Sequence, residues 1–227
     1  MIGIIGRKLG MTQIFNEQGQ QIPVTVVEAS PNPVTKVMTK DAAGFASVEL
    51  GFGTRRMARD SKKGERTPRG VRASRAEVAH AAKAGLQAAP AVLRSFRLDD
   101  APGKNPEIPT YNVGDTVTVG IFTPGDTVKV TGTSKGRGFQ GMVKRHSAGG
   151  GPNTHGNTKH RRPGSVGAGT DPSRVIKGKR MPGHYGAAQH TQTHLRVEKI
   201  DAERNLIYIR GSVAGPKNGI VLVRKQG

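Results

Sequence analysis

Short runs in which apolar and polar residues alternate occur towards both ends of the chain, bounded by Pro, Gly and Asn. Successive side chains of a β-strand point to opposite faces of a sheet, so a period of two predicts strands rather than helices. The predicted strands cover residues 21–28, 34–39, 46–51, 116–121, 127–131, 194–200, 206–211 and 220–224. Turn residues at 201–205 and 215–219 separate the last three strands, which predicts an antiparallel meander.

One segment, residues 74–84 (SRAEVAHAAKA), carries helix signals instead. Ser74 is suited to cap the first turn, Glu77 follows three residues later as in a capping box, and Gly85 is suited to end the helix. The apolar face consists mostly of alanine, so we expect the helix to pack weakly. Residues 102–109 are Pro-rich and predict a loop.

The predicted strands flank residues 134–186, in which apolar residues are scattered without alternation. Short strands in an open sheet would leave hydrogen-bonding edges exposed, and closure into a barrel removes those edges. The sequence therefore predicts a mainly β protein: a closed β-barrel with a long, largely irregular basic extension inserted between strands, and one short helix. We expect three parts: residues 1–133 as the N-terminal part of the barrel domain with a basic insertion at about 54–92, residues 134–189 as an extended RNA-binding loop, and residues 190–227 as strands that complete the barrel.

The net charge of +20 is unevenly distributed over the 227 residues. Residues 134–186 contain eleven Lys or Arg, thirteen Gly and a single acidic residue, Asp171. Residues 54–75 contain nine basic residues and two acidic ones. Such cations would repel one another without a polyanionic partner, and the glycines between them let backbone amides approach phosphates. This pattern predicts binding to nucleic acid, and to structured RNA in particular.

The candidate RNA-binding residues are the cations and two histidines of these basic segments. Arg is suited to bidentate recognition of phosphate, whereas Lys acts as a point charge. We expect ordered phosphate contacts from Arg137, Arg145, Arg161, Arg162, Arg174 and Arg180. We expect mainly charge screening from Lys135, Lys144, Lys159, Lys177 and Lys179. The remaining candidates are His155 and His160, suited to base stacking or donation to RNA oxygens, and Arg55, Arg56 and Arg69 of the 54–75 segment.

Several classes of function are excluded by residues that the chain lacks. It has no Cys, so a disulfide framework, a zinc ribbon and a thiol nucleophile are impossible. It has no Trp and only 4% aromatic residues, so base stacking is not expected as a major binding mode. No apolar run approaches the ~20 residues of a membrane span, so we expect no membrane association. Apolar residues precede Arg7 and Lys8 at the N-terminus, the reverse of the order in a signal peptide.

The histidines and carboxylates do not form a catalytic or metal-binding pattern. His155 with His160, and His190 with His194, have loosely plausible ligand spacings, but no Cys or nearby carboxylate completes either site. Asp171 stands alone in the basic segment and is typical of a turn, whereas a nuclease would gather several carboxylates around magnesium. We therefore expect no enzyme activity, no metal, no cofactor and no small-molecule substrate.

Several motifs go beyond composition. The stretches MIGIIGRKLGMTQIF (residues 1–15) and VTGTSKGRGFQGMVKR (residues 130–145) resemble the signatures of the family of large-subunit ribosomal protein number three. The resemblance covers nearly the whole chain in order. It continues through residues 154–157, 162–165, 177–181 and 197–205, and the turn DAERN at 201–205 is typical of bacterial members.

This resemblance implies a structural constituent of the large ribosomal subunit, in the cytoplasmic ribosome, with a barrel of the translation-protein type lying against large-subunit ribosomal RNA. It further implies an extension that approaches the peptidyl-transferase region, a role in early assembly, and neighbouring large-subunit ribosomal proteins. Residues 54–109 depart from the family, because they are longer and more basic than in typical short bacterial members. Residues 166–170 (VGAGT) lack the glutamine that some members methylate, so that modification is not expected.

Two other classes of function remain open at this level. A transient RNA chaperone or assembly factor would share the basic character, but it would leave purified subunits in a high-salt wash that a constituent survives. A hydrolase would cut labelled RNA in the presence of magnesium, which a constituent would not do.

Overall fold

The computed structural model describes residues 3–40, 44–55, 73–98 and 111–226. The chain divides into two compact units: the first consists of Met1–Thr133 and His190–Gly227, and the second, which we call the loop unit, is Ser134–Gln189. The protein is mainly β, as the alternating pattern predicted.

The described residues form strands of two to thirteen residues and a few short helices. The strands are β1 (Gly3–Phe15), β2 (Gln21–Glu28), β3 (Asn32–Met38), β4 (Ser47–Thr54), β5 (Pro90–Arg97), β6 (Thr116–Val117), β7 (Thr127–Thr133), β8 (Phe139–Gln140), β9 (Gly183–His184), β10 (Gln189–Asp201), β11 (Leu206–Arg210) and β12 (Ile220–Lys225). The helices are α1 (Arg75–Lys83), α2 (Met142–His146) and a 3-10 helix (Val119–Ile121).

Six strands are hydrogen-bonded in a closed ring, in the order β1-β12-β7-β10-β11-β2, with β2 returning to β1. The pairing of β1 with β12 is antiparallel and brings together residues from opposite ends of the sequence: Gly3 lies opposite Arg224, and Arg7 lies opposite Ile220. Closure gives each of these strands a neighbour on both sides, which removes the exposed edges of an open sheet.

One apolar cluster is built from alternate residues of the ring strands. It includes Val128 and Val130 of β7, Ile207 and Ile209 of β11, and Val221 and Val223 of β12, all at most 1% exposed. The spacing of two within each strand follows from the pleat, which sends alternate side chains to the same face. Full burial of one such side chain contributes roughly 1.5–3 kcal/mol relative to leaving it exposed.

Two ring strands are shared with a second apolar cluster. Ile4 of β1 belongs to the ring cluster, whereas Ile5 belongs to the cluster of the four-stranded sheet β5-β4-β3-β6. Ile220 and Leu222 of β12 pack against this second cluster as well. Because neighbouring residues of a strand point to opposite faces, β1 and β12 each serve both cores.

Helix α1 has the capping box that the sequence predicted. Ser74 Oγ accepts from the backbone N–H of Glu77 at 3.3 Å, and the Glu77 carboxylate accepts from the backbone N–H of Ser74 at 2.8 Å. That backbone hydrogen bond, aided by Arg55 at 2.9 Å, holds the pKa of Glu77 below its usual value. Gly85 follows the helix with a φ of 71°, in the left-handed region that favours glycine.

The predicted meander of the last three strands is wrong. β10 and β11 do pair, but β12 pairs with β1 and β7, neither of which lies beside it in sequence. Local alternation carries no information on which distant strand becomes a neighbour. The strand predicted at 116–121 is also wrong in part, because β6 ends at Val117 and the 3-10 helix follows it.

Some observed elements were not predicted from the sequence, and some predictions fall on residues that the structure does not describe. Strands β1 and β5, the polar first half of β10 and helix α2 were not predicted. The predicted loop at 102–109 and most of the basic segment 54–75 lie outside the described residues. No helix within the described ranges is long and apolar enough to cross a membrane.

Candidate nucleic-acid interface

The base of the loop unit is a pair of chain segments joined by backbone hydrogen bonds. These run from Ser134 N to Ala188 O, from Arg137 N to Tyr185 O and from Tyr185 N to Gly138 O, each at 2.9 Å. The pairing continues as the two-stranded ribbon β8–β9, in which Phe139 lies opposite His184. The start and the end of this basic segment are therefore held side by side.

Helix α2 follows the first ribbon strand and contacts the segment that precedes the second. Arg145 Nη1 donates to Met181 O at 2.7 Å, and His146 Nε2 lies 3.2 Å from the same oxygen. The Arg145 guanidinium packs directly against Gly183, where an added Cβ would lie 2.6 Å from Arg145 Nη1. These contacts position the ribbon against α2.

The chain turns back at residues 151–160, where it is held by local hydrogen bonds. Gly151 N donates to His160 O at 3.1 Å, and Asn157 Nδ2 donates to Pro152 O at 2.9 Å. His160 Nδ1 also lies 2.9 Å from Pro152 O. An added Cβ at Gly150 would collide with His160 O, so the close approach of the two backbones requires glycine there.

The loop unit has no core. No residue from 133 to 196 is buried, and every residue from 158 to 182 is exposed. Even apolar side chains are open to solvent, with exposed fractions of 75% at Phe139 and 65% at Ile176. Because so little apolar surface is buried, the structure of this segment depends on its hydrogen bonds rather than on hydrophobic packing.

Positive charge on the loop unit is almost unopposed by acidic residues. Asp171 is the single acidic residue among eleven Lys and Arg in residues 134–186, and no ion pair between described residues involves this unit. In the first unit, by contrast, some cations pair with carboxylates at 2.8–2.9 Å, as in Arg7–Glu28, Arg55–Glu77 and Lys225–Asp126. The loop unit is therefore suited to bind a polyanion.

Most of the predicted RNA-binding residues lie on the loop unit, and all of these except the half-buried Arg145 are exposed. They are Lys135, Arg137, Lys144, Arg145, His155, Lys159, His160, Arg161, Arg162, Arg174, Lys177, Lys179 and Arg180. Arg55 lies in the first unit, where its guanidinium donates to Glu77. Arg56 and Arg69 lie outside the described residues.

Sequence reasoning missed the aromatic residues at the base of the loop unit. The Arg137 guanidinium lies 5.0 Å from the centroid of the Tyr185 ring, within the range of a cation–π interaction. Phe139 lies in the motif GRGFQG, but each ribbon strand has only two residues, too few for a detectable alternation. The sequence did contain one signal that could have drawn attention to Phe139: it is an aromatic residue among closely spaced cations.

Several of the histidines form hydrogen bonds within the chain. His194 N donates to Gln226 Oε1, and the His194 ring Nε2 lies near Gln226 Nε2, both at 3.0 Å. Across the described ranges of the chain, no group of three His, Cys, Asp or Glu side chains is placed to hold a metal ion.

Comparisons with known proteins agree with the motifs. The profile of the family described as Ribosomal protein L3 matches residues 107–205. Large ribosomal subunit protein uL3 of Herpetosiphon aurantiacus is 47% identical over 224 residues, covering 98% of this chain and 95% of the relative. The proteins of that name from Macrococcus caseolyticus and Alkaliphilus metalliredigens are 44% and 40% identical, covering 98% and 100% of this chain and 95% and 100% of their own lengths. The resemblance seen in the motifs is thus confirmed, and the chain belongs to the ribosomal protein L3 family.

Proposed function

We propose that the protein is a structural constituent of the large ribosomal subunit and that its loop unit binds large-subunit ribosomal RNA. Membership of the family supports the first part, since the relatives compared above are all large ribosomal subunit proteins. The charge and exposure of the loop unit support the second part. In this role the protein holds RNA in place within the cytoplasmic ribosome and carries out no reaction itself.

The observation that carries the proposal is the contrast between the two units. Several cations of the first unit have carboxylate partners, whereas those of the loop unit stand on a mostly exposed segment with one acidic residue among them and no ion pair between described residues. Unpaired cations at this density favour a partner that carries one negative charge per residue, as a nucleic acid does. Releasing the counterions of that partner supplies the driving force for binding.

The mechanism we propose is architectural. The ring of strands acts as a closed barrel of the translation-protein type, and the loop unit as an extension that neutralises phosphates where RNA helices converge. Arg161, Arg162, Arg174 and Arg180, all exposed, would donate in pairs to phosphate oxygens, which Lys cannot do with the same geometry. Ordered contacts of this kind offset the entropy lost when the exposed segment is immobilised.

The finer parts of the proposal rest on the family. We expect the extension to approach the peptidyl-transferase region, the protein to join the subunit early in assembly, and other large-subunit ribosomal proteins to be its neighbours. A transient RNA chaperone is the alternative. Purified subunits washed in high salt separate the two, because a constituent stays at one copy per subunit and a chaperone is lost.

The dependence of RNA affinity on salt tests the proposed interface. If roughly six cations of the loop unit meet phosphates, a plot of log affinity against log salt concentration should have a slope of about −4 to −5. The measurement is a titration of protein-free large-subunit ribosomal RNA with the full chain at several salt concentrations. A slope near zero would contradict the electrostatic interface.

A further inference from the structure

The ribbon β8–β9 exposes an aromatic side chain that nothing in the described chain covers. Phe139 is 75% exposed, more than any other large hydrophobic side chain of the described residues. His184 lies directly opposite it in the antiparallel ribbon and is exposed as well. Residues opposite each other in such a pair point to the same face, with Cβ atoms about 4.5–5.5 Å apart. The ribbon therefore presents two neighbouring rings on one face.

This face is positioned by the surrounding structure. The backbone bonds between Arg137 and Tyr185 and between Tyr185 and Gly138 lead directly into the ribbon. On the far side, Arg145 of α2 donates to Met181 O, and its guanidinium packs against Gly183. Because the backbone of the ribbon is held in this way, a ligand that stacks on the ring need restrict little more than the rotation of the side chain.

The chemistry around the two rings indicates which ligand they would take. Lys135, Arg137 and Lys144 are exposed close to Phe139 in sequence, and Asp171 is the single carboxylate of residues 134–186. An aromatic face beside unpaired cations fits a group that has a flat π-system and an attached phosphate. An unpaired nucleotide of RNA has both features, whereas an apolar protein surface would leave the cations unmatched.

We propose that Phe139 and His184 form a stacking site for one unpaired nucleobase, whose phosphates meet the neighbouring cations. The inference rests on the proposed function for its ligand, RNA, and adds a site that composition argued against. A low aromatic fraction limits how many bases the protein stacks, but it does not prevent one stacked base from fixing the register of the ribbon on its RNA.

The absence of tryptophan from the chain makes this site directly observable. A Phe139→Trp variant carries one indole, whose fluorescence is quenched when it stacks on a base. Titration of the full-length variant with protein-free large-subunit ribosomal RNA should quench most of the emission. The matched control is Phe15→Trp, since Phe15 is 66% exposed but lies in the first unit, in a groove with two carboxylates, Glu17 and Glu198, and one cation, Lys199, rather than among clustered cations. Its emission should change little.

Affinity provides the second readout. Phe139→Leu keeps an apolar side chain but removes the π-face, and it should weaken RNA binding roughly five- to one-hundred-fold. Phe139→Tyr keeps the ring and should bind like the original protein, as should the control Phe15→Leu. The slope against salt should be the same for these three variants and the original, because no charge is altered.

The possible outcomes distinguish a failure of the stacking site at Phe139 from a failure of the proposed RNA interface of the loop unit. The stacking site is overturned if Phe139→Leu binds RNA with normal affinity and Phe139→Trp is only weakly quenched. If the salt slope is still steep in that case, the proposed RNA interface is unaffected. Quenching that requires added large-subunit proteins also overturns it, because a protein then covers the ring. A flat salt slope would instead contradict the proposed function itself.

Discussion

At the scale of single residues, the carboxylate of Asp126 links the start of β7 to the end of β12. Lys225 Nζ lies 2.8 Å from Asp126 Oδ2, and the backbone N–H of Thr123 donates to the same oxygen at 2.8 Å. Partial burial alone would raise the pKa of Asp126, but the hydrogen bonds from Lys225 and Thr123 outweigh it, so the pKa is lowered. The charged carboxylate therefore stabilises the folded state.

We expect this contribution to depend on pH in a defined direction. A carboxyl group whose pKa is lower in the folded than in the unfolded chain stabilises the fold above the unfolded value of about 3.9, and the effect is lost as pH falls through the folded pKa. The Asp126→Asn variant should be less stable by about 1 kcal/mol at pH 7, with the difference shrinking below about pH 4.

The measurement is urea unfolding of both proteins between pH 3 and pH 7. Taking the difference between them removes the contribution of the other carboxylates, which titrate alike in both proteins. A difference in the free energy of unfolding that stays constant down to pH 3, or grows in acid, would contradict the role assigned to Asp126.

At the scale of elements, the local signals were sufficient for α1 and insufficient for β10. Ser74 and Glu77 mark the start of α1 and Gly85 marks its end, so the sequence alone predicted its bounds. β10 begins at Gln189, five residues before its first predicted residue, because QHTQTH has no apolar alternation and its pairing is made by the backbone. Thr131 Oγ1 of β7 and Thr191 Oγ1 of β10 lie 2.8 Å apart, within the part of β10 that the alternation of apolar residues did not predict.

The ribbon of the loop unit offers a prediction at the same scale. Gly186 has a φ of 75°, and an added Cβ would collide with Lys135 O and lie 3.1 Å from Gly136 Cα. Gly186→Ala should therefore separate the two segments at the base of the loop unit. We expect the amide protons of Arg137 and Tyr185, which cross between these segments, to exchange with solvent at least tenfold faster, equivalent to about 1.4 kcal/mol.

Gly136→Ala is the matched control for this prediction. An added Cβ at Gly136 would lie 3.5 Å from Ala187 Cβ, which is an ordinary contact, so exchange at Arg137 and Tyr185 should remain as in the original protein. Equal exchange rates in the two variants would show that the base of the loop unit tolerates the collision.

At the scale of the whole molecule, the charge and exposure of the basic segment were easier to predict than the topology. The density of cations between 134 and 186 is a property of the sequence, and the exposure of those cations follows from having no apolar pattern to bury. The ring order depends instead on contacts between distant strands, such as β1 with β12, for which a single sequence contains no local signal. Phe139 was overlooked because a composition argument treats every aromatic residue alike.

Removing the loop unit tests whether the first unit folds by itself. We expect a protein in which Thr133 is joined to His190 by a short turn to unfold cooperatively in urea, since no residue from 133 to 196 is buried. Thr131 and Thr191 are already hydrogen-bonded, so a short connection suffices. Its affinity for large-subunit ribosomal RNA should fall, and the slope against salt should become shallower. A broad, non-cooperative transition would show that the loop unit contributes to the core.

The pairing of β1 with β12 also sets the order of events while the chain is being made. Lys8 Nζ donates to the backbone oxygen of Val213, which lies 205 positions further along the chain. Gly3 pairs with Arg224, so the backbone bonds at the start of β1 form only after β12 has been synthesised. At about 5–20 residues per second, tens of seconds separate the synthesis of these two strands. Residues 3–6 of β1, including Ile4 and Ile5, spend that interval without the strand they pair with. The cationic loop unit, which precedes β12 in the sequence, is therefore complete before the ring can close.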